Sequence, residues 1–82
     1  MLQEPSPDRA LPRPVEISVV VPVRDEEDSI PLLAAELETV LDALARSWEV
    51  LWVDDGSLDG TLACLRDLRA RRREHRWVSF DR

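Results

Sequence analysis

The chain has 82 residues, 44% of them hydrophobic, with a net charge of −6. That length allows one small domain or part of a larger one, and it buries only about 60% of its unfolded surface, so the core is marginal. The acidic balance argues against general affinity for nucleic acid or anionic membranes; no secretory signal is evident, and no apolar run approaches the ~20 residues of a membrane helix.

Residues 1–15 read as a leader. Pro5, Pro7, Pro12 and Pro14 are four of the six prolines in the chain. Proline fixes φ and lacks an N–H, which opposes helix and sheet alike, so the segment is expected to be disordered. A proline-rich docking peptide is the alternative. Residues 16–82 carry the folded part. Ile17-Ser-Val-Val-Val-Pro-Val23 is β-branched and almost wholly apolar, which predicts a strand buried on both faces, as in a parallel sheet with helices above and below. Pro22 cannot donate to a ladder, so regular pairing is expected to stop there.

From Ser29 to about Arg46 the spacing predicts a helix, with Ile30, Leu33, Leu37, Val40, Leu41 and Leu44 on one face. Ser29 or Asp28 can cap its free N–H groups, and Pro31 fits the first turn. Trp48 to Val53 predicts a second strand, with Trp48 and Trp52 sharing a core-facing side. Asp59 can cap a second helix to about Arg73, with Leu58, Leu62, Leu65 and Leu68 as its buried stripe, and Trp77 to Phe80 begins a third strand. The fold class is α/β: a βαβαβ half of a doubly wound nucleotide-binding sheet, incomplete. In the commonest strand order the first strand lies between the second and a fourth, so here it is expected to be an open edge.

Such sheets bind ligands beyond the carboxyl ends of their strands. Two strand ends open into polar turns here, Arg24-Asp-Glu-Glu-Asp28 and Asp54-Asp-Gly-Ser57. Consecutive residues on a strand point to opposite faces, so Asp54 and Asp55 do not form a matched acid–base pair; one can face the crevice while the other caps the turn or meets a neighbouring strand. A carboxylate there can accept a hydrogen bond from a ribose hydroxyl or a base N–H, or ligate a hard cation. Ordinary turn chemistry is the bland alternative. Asp25 and Glu26 sit nearer the strand end than Glu27 and Asp28, whose acidity suits the start of the following helix. Arg24 can approach a diphosphate or pair with the adjacent acids. Arg69, Arg71, Arg72, Arg73 and Arg76 read as a solvated basic run that complements a helix end, or else as a phosphate patch. His75 shows no triad or metal partner. Cys64, the one cysteine, reads as packing and suits a reducing compartment.

Taken together, Ile17-Ser-Val-Val-Val-Pro-Val-Arg-Asp-Glu-Glu27 and Val53-Asp-Asp-Gly-Ser-Leu-Asp-Gly-Thr61 resemble the opening strand and the Asp-Asp-Gly-Ser signature of family 2 glycosyltransferases, which have the glycosyltransferase A fold. The resemblance covers about Glu16 to Arg82 and implies the N-terminal part of a sugar-nucleotide-binding domain. It is most similar to the branch that transfers a sugar to a polyprenyl (dolichyl or undecaprenyl) phosphate. The resemblance implies that Pro22, Val23 and Arg24 line the base and ribose pocket, that Glu26 contacts the nucleoside, and that Asp55, with Asp54 beside it, binds base or ribose. Arg24 and Asp25 replace the family's usual Tyr-Asn, which puts a tyrosine stacking contact in doubt. The Asp-x-Asp metal motif, the catalytic base and the acceptor site have no match here. No catalytic or metal residue is therefore assigned, and the divalent cation (Mg or Mn) implied for the full-length enzyme is not expected to be held by these residues. The implied partners are a nucleotide-sugar donor and a polyprenyl phosphate acceptor, with no nucleic acid and no membrane span. The implied location is the cytoplasm, at the membrane face for the full-length protein. Two other readings stay open: a receiver-like phosphoacceptor domain, in which an Asp pair after a strand holds magnesium, and a non-catalytic nucleotide-binding module.

Overall fold

The computed structural model describes residues 2–3 and 14–80. The element order is β1 (Leu2–Gln3), β2 (Ile17–Val23), α1 (Ile30–Ala43), β3 (Trp48–Asp54), α2 (Thr61–Arg71) and β4 (His75–Phe80). The strands form one sheet in the order β1-β4-β3-β2. β2, β3 and β4 run parallel, with Ile17 beside Trp48 and Val50 beside His75. Within the segment expected as a disordered leader, Leu2 and Gln3 pair antiparallel with Phe80 and Ser79; residues 4–13 of it lie outside the described residues.

The βαβαβ order expected from sequence is the observed one, and β2 pairs only with β3 among the described residues. Its burial differs from expectation. Ile17, Val19, Val21 and Val23 face inward, whereas Ser18, Val20 and Pro22 are exposed, Val20 by 62%. The strand order explains this. Both crossovers step across the sheet in the same direction, so a common right-handed sense puts both helices on one face, and α1 and α2 do touch each other. The core lies between the helices and the sheet face of Val23, Trp48, Val50, Trp52 and Trp77, with Ile30, Ala34, Leu41, Leu65 and Leu68 packed on it from the helices. The two tryptophans of β3 are core, as their shared side predicts.

Pro22 does not end the ladder; pairing continues to Val23 beside Asp54. The Ile17 N–H donates to Ser47 O (3.1 Å) and Val23 O accepts from the Asp55 N–H (3.1 Å). Odd-numbered residues of β2 thus bond towards β3. By alternation the donor that Pro22 lacks would face the open edge, where its loss costs the sheet nothing.

The helices are shorter than their apolar stripes. α1 stops at Ala43 because Ala45 takes a left-handed φ of 55°. Pro31 lies in its first turn as expected, while Ser29 holds the N-cap position with no side-chain cap. Leu58 lies before α2 and is 88% exposed, so the buried stripe of that helix is carried by Leu65 and Leu68.

Candidate functional site

The carboxyl ends of β2 and β3 lie side by side, and the loops that follow them are laced together. The Asp25 N–H donates to Ser57 Oγ (2.9 Å), and Asp25 Oδ1 accepts from the Leu58 N–H (2.8 Å) and the Asp59 N–H (3.4 Å). The Glu26 N–H donates to Thr61 Oγ1 (2.8 Å), and the Glu27 N–H to Asp59 Oδ2 (3.4 Å). Asp59 Oδ1 also accepts from the Thr61 N–H (2.9 Å), satisfying one of the donors that α2 leaves free at its start. Those bonds, that from the Thr61 side first, hold the Asp59 carboxyl below the usual carboxylate range. Glu26 O in turn accepts the Ser29 and Ile30 N–H groups that open α1.

Backbone geometry explains the residue types. Gly56 stands at φ 72° and Asp25 at φ 52°. That left-handed region costs an ordinary residue about 1–2 kcal/mol, and glycine almost nothing. Asp25 withstands it because both its N–H and its carboxylate are bonded. At Gly60 a Cβ would come within 2.5 Å of Glu27 Oε2, so a glycine here lets that carboxylate lie against the positive end of α2.

The two adjacent aspartates part as strand alternation requires. Asp54 is 1% exposed. Its carboxylate caps the turn by accepting from the Ser57 N–H (3.2 Å) and Ser57 Oγ, and meets the neighbouring strand by accepting from Ser79 Oγ (2.9 Å). Asp55, one residue on, is exposed. The residues that the resemblance placed in a nucleoside pocket therefore divide. Arg24, Glu26 and Asp55 are exposed together at one rim, and Pro22 is exposed on the open face just before it. The side chains of Val23 and Asp54 turn into the protein, because both occupy helix-facing positions on their strands. Sequence reasoning passed over Ser57, Thr61 and Ser79, and gave Asp59 only as a cap for the second helix, where it does accept the Thr61 N–H. Their type was a signal, since short hydroxyl and carboxylate side chains bond backbone N–H groups near strand ends, but a linear sequence does not say which loop supplies the partner.

Elsewhere, a cleft of about 260 Å³ between the helices is lined by Ile30, Pro31, Cys64, Asp67, Leu68 and Arg71. None of the expected nucleoside residues lines it. Burial, foremost, pushes the Cys64 thiol up, away from thiolate character. Among the described residues no three His, Cys, Asp or Glu side chains are grouped to hold a metal ion, and the buried Asp54 carboxylate is already filled by hydroxyl and amide donors. These residues do not fit a cation site.

A family model described as glycosyl transferase family 2 matches residues 18–80. The chain belongs to that family. The match spans both laced loops and all three parallel strands of the family 2 domain seen here, apart from the first residue of β2. Among curated relatives, an undecaprenyl-phosphate 4-deoxy-4-formamido-L-arabinose transferase from Aeromonas hydrophila is 43% identical over 54 residues, covering 66% of this chain and 17% of the relative. Proteins of the same name from Salmonella choleraesuis and Salmonella typhimurium are each 42% identical over 45 residues, covering 55% of this chain and 14% of theirs. The matched segment thus spans less than a fifth of the length of these relatives. No solved structure matches it at a significant level.

Proposed function

We propose that this chain forms the nucleoside-binding wall of a family 2 glycosyltransferase donor site, and that the full enzyme transfers the sugar of a nucleotide donor to a polyprenyl phosphate. The observation that carries the reading is the lacing of the β2 and β3 loops, which makes one rim of two strand ends and sets Arg24, Glu26 and Asp55 on it. On this reading Asp55 accepts from a ribose hydroxyl or base N–H, Glu26 contacts the nucleoside, and Arg24 faces the diphosphate, whose charge its planar guanidinium complements. Pro22 borders the pocket. Val23 contributes through its backbone, and Asp54 stands beneath the rim. The relatives' names support the acceptor: each is called an undecaprenyl-phosphate transferase. On this reading a lipid acceptor brings the reaction to a membrane face; no helix among the described residues is long and apolar enough to cross a membrane. Any divalent cation in the full enzyme would have to be held by other residues.

Titration of the chain with UDP, GDP, CDP and ADP by calorimetry tests the reading. One of them is expected to bind, and Asp55→Ala to weaken it at least ~10-fold, the cost of about one hydrogen bond to a charged group. No binding by any of the four at millimolar concentration would reject the proposal. Binding without sugar transfer is expected from the 82-residue chain, which lacks matches to the family's metal motif and catalytic base.

A further inference from the structure

We propose that Ser57 is a positioning residue for the nucleoside wall: set by the buried Asp54, it holds Asp25 in its left-handed conformation and so fixes where Arg24 and Glu26 stand. The inference rests on the donor-site reading above and goes beyond it, since none of Ser57, Asp54 and Asp25 need touch the ligand.

A serine hydroxyl has one proton to give and lone pairs to receive. Here the proton is spoken for. Asp54 lies directly beneath, 1% exposed, and Ser57 Oγ donates to Asp54 Oδ1. Asp54 cannot turn away. Its Oδ2 accepts from Ser79 Oγ on β4 (2.9 Å), and both its oxygens face the Ser57 N–H (3.2 and 3.4 Å). The hydroxyl rotor of Ser57 is thereby locked, and its oxygen accepts from the Asp25 N–H at 2.9 Å.

Asp25 is the pivot of the other loop. It stands at φ 52°, a conformation that a residue with a side chain holds only when its surroundings determine it. Ser57 Oγ holds its N–H from one side, and the Leu58 and Asp59 N–H groups hold its carboxylate from the other. Arg24 and Glu26 flank this pivot in sequence, and the Glu26 O accepts the first N–H groups of α1. A relaxation of Asp25 towards ordinary backbone angles would therefore displace both rim residues together. The chain of contacts runs from β4 through Ser79, Asp54 and Ser57 to Asp25, so the sheet itself sets the geometry of the rim.

The test compares Ser57→Ala with Ser57→Thr, which keeps the hydroxyl, using whichever of UDP, GDP, CDP and ADP binds the unmodified chain most tightly. Ser57→Ala is expected to raise Kd at least tenfold while the circular dichroism spectrum stays that of the folded chain, and to shift the amide resonances of Arg24, Asp25 and Glu26. Ser57→Thr is expected to restore Kd to within about threefold of the unmodified value. A folded Ser57→Ala that binds as tightly as the unmodified chain overturns the inference and leaves the donor-site reading standing. An unmodified chain that binds none of the four overturns the donor-site reading and this inference with it. Should Ser57→Ala not fold, Ser57→Cys replaces it: the sulfur is a weak acceptor, a several-fold rise in Kd is expected, and unchanged affinity in that folded variant overturns the inference.

Discussion

His75 is fixed in one tautomer by its neighbours. The indole N–H of Trp52 is a donor only, and it points at His75 Nδ1 from 3.0 Å. That nitrogen must therefore be bare, and the ring proton sits on Nε2, 2.7 Å from Glu38 Oε2. Glu38 on α1 is also gripped by Arg71 of α2, which holds its carboxyl below the usual range, while Trp48 and Arg72 complete the surroundings of the ring. Burial, first, pushes the His75 pKa below its ordinary value of 6.5. The sign follows. Above 6.5 the ring is neutral in both folded and unfolded chains; below it the unfolded chain takes up a proton that the folded chain resists, so stability is lost as pH falls. Urea melts between pH 7.5 and 5 should show a slope of at most about 1.4 kcal/mol per pH unit below the ordinary histidine value. His75→Gln, less stable overall, should flatten that slope. None of this was legible in sequence, where His75 is a lone histidine in a basic run: Glu38 lies 37 residues away and only the fold joins them. The parting of Asp54 and Asp55, by contrast, follows from strand alternation alone.

At the scale of elements, the arginines that follow the buried stripe of α2 are a solvated run only in part: Arg71, Arg73 and Arg76 are exposed, Arg72 is half-buried and Arg69 is buried. Arg69 is buried and donates to Arg73 O (3.1 Å) and His75 O (3.3 Å), closing the turn into β4. Arg71 forks onto Glu38, and Arg72 forks onto Asp42 at 2.9 and 3.1 Å, both on α1. Arg72 also bonds Glu74 and lies over the Trp48 ring at 4.9 Å, while the Trp48 indole N–H donates to the same Asp42. One guanidinium thus ties α1, β3 and the α2–β4 turn. Arg72→Ala should lower stability by about 1–2 kcal/mol through the lost cation–π contact and the uncovered ring. Arg72→Lys should recover only part of it, since an ammonium lacks the planar fork. Thermal melts of the three forms check this, and equal melting of Lys and Arg would show that charge alone matters. Sequence periodicity found both helices because their stripes are regular; it overran their ends because the left-handed Ala45 and the extended Arg72 do not show in the spacing of apolar residues.

For the molecule as a whole, the decisive feature is that both helices cover one face. The β-α-β-α-β order was readable because apolar runs and turn residues alternate cleanly. That β2 is covered on one face only was not, since an apolar run predicts a strand able to be covered and not what covers it. Among the described residues the result is an open sheet face bearing Val20, Pro22 and Phe80, and an edge strand, β2, with no charge in it. Such edges template association. At high concentration the chain should therefore self-associate, and Val20→Lys should bring the mass by light scattering back towards 9.4 kDa while changing stability by no more than about 0.5 kcal/mol. Unchanged association in that variant would place the contact elsewhere.

The measurement that tests the central claim most directly is an amide-resolved titration of the chain with nucleoside diphosphate. The account predicts that Arg24 to Glu27 and Asp55 to Ser57 shift together, with one shared Kd, while the cleft residues Cys64 and Asp67 on α2 stay still. Shifts in one loop without the other, or shifts centred on the α1–α2 cleft, would contradict it.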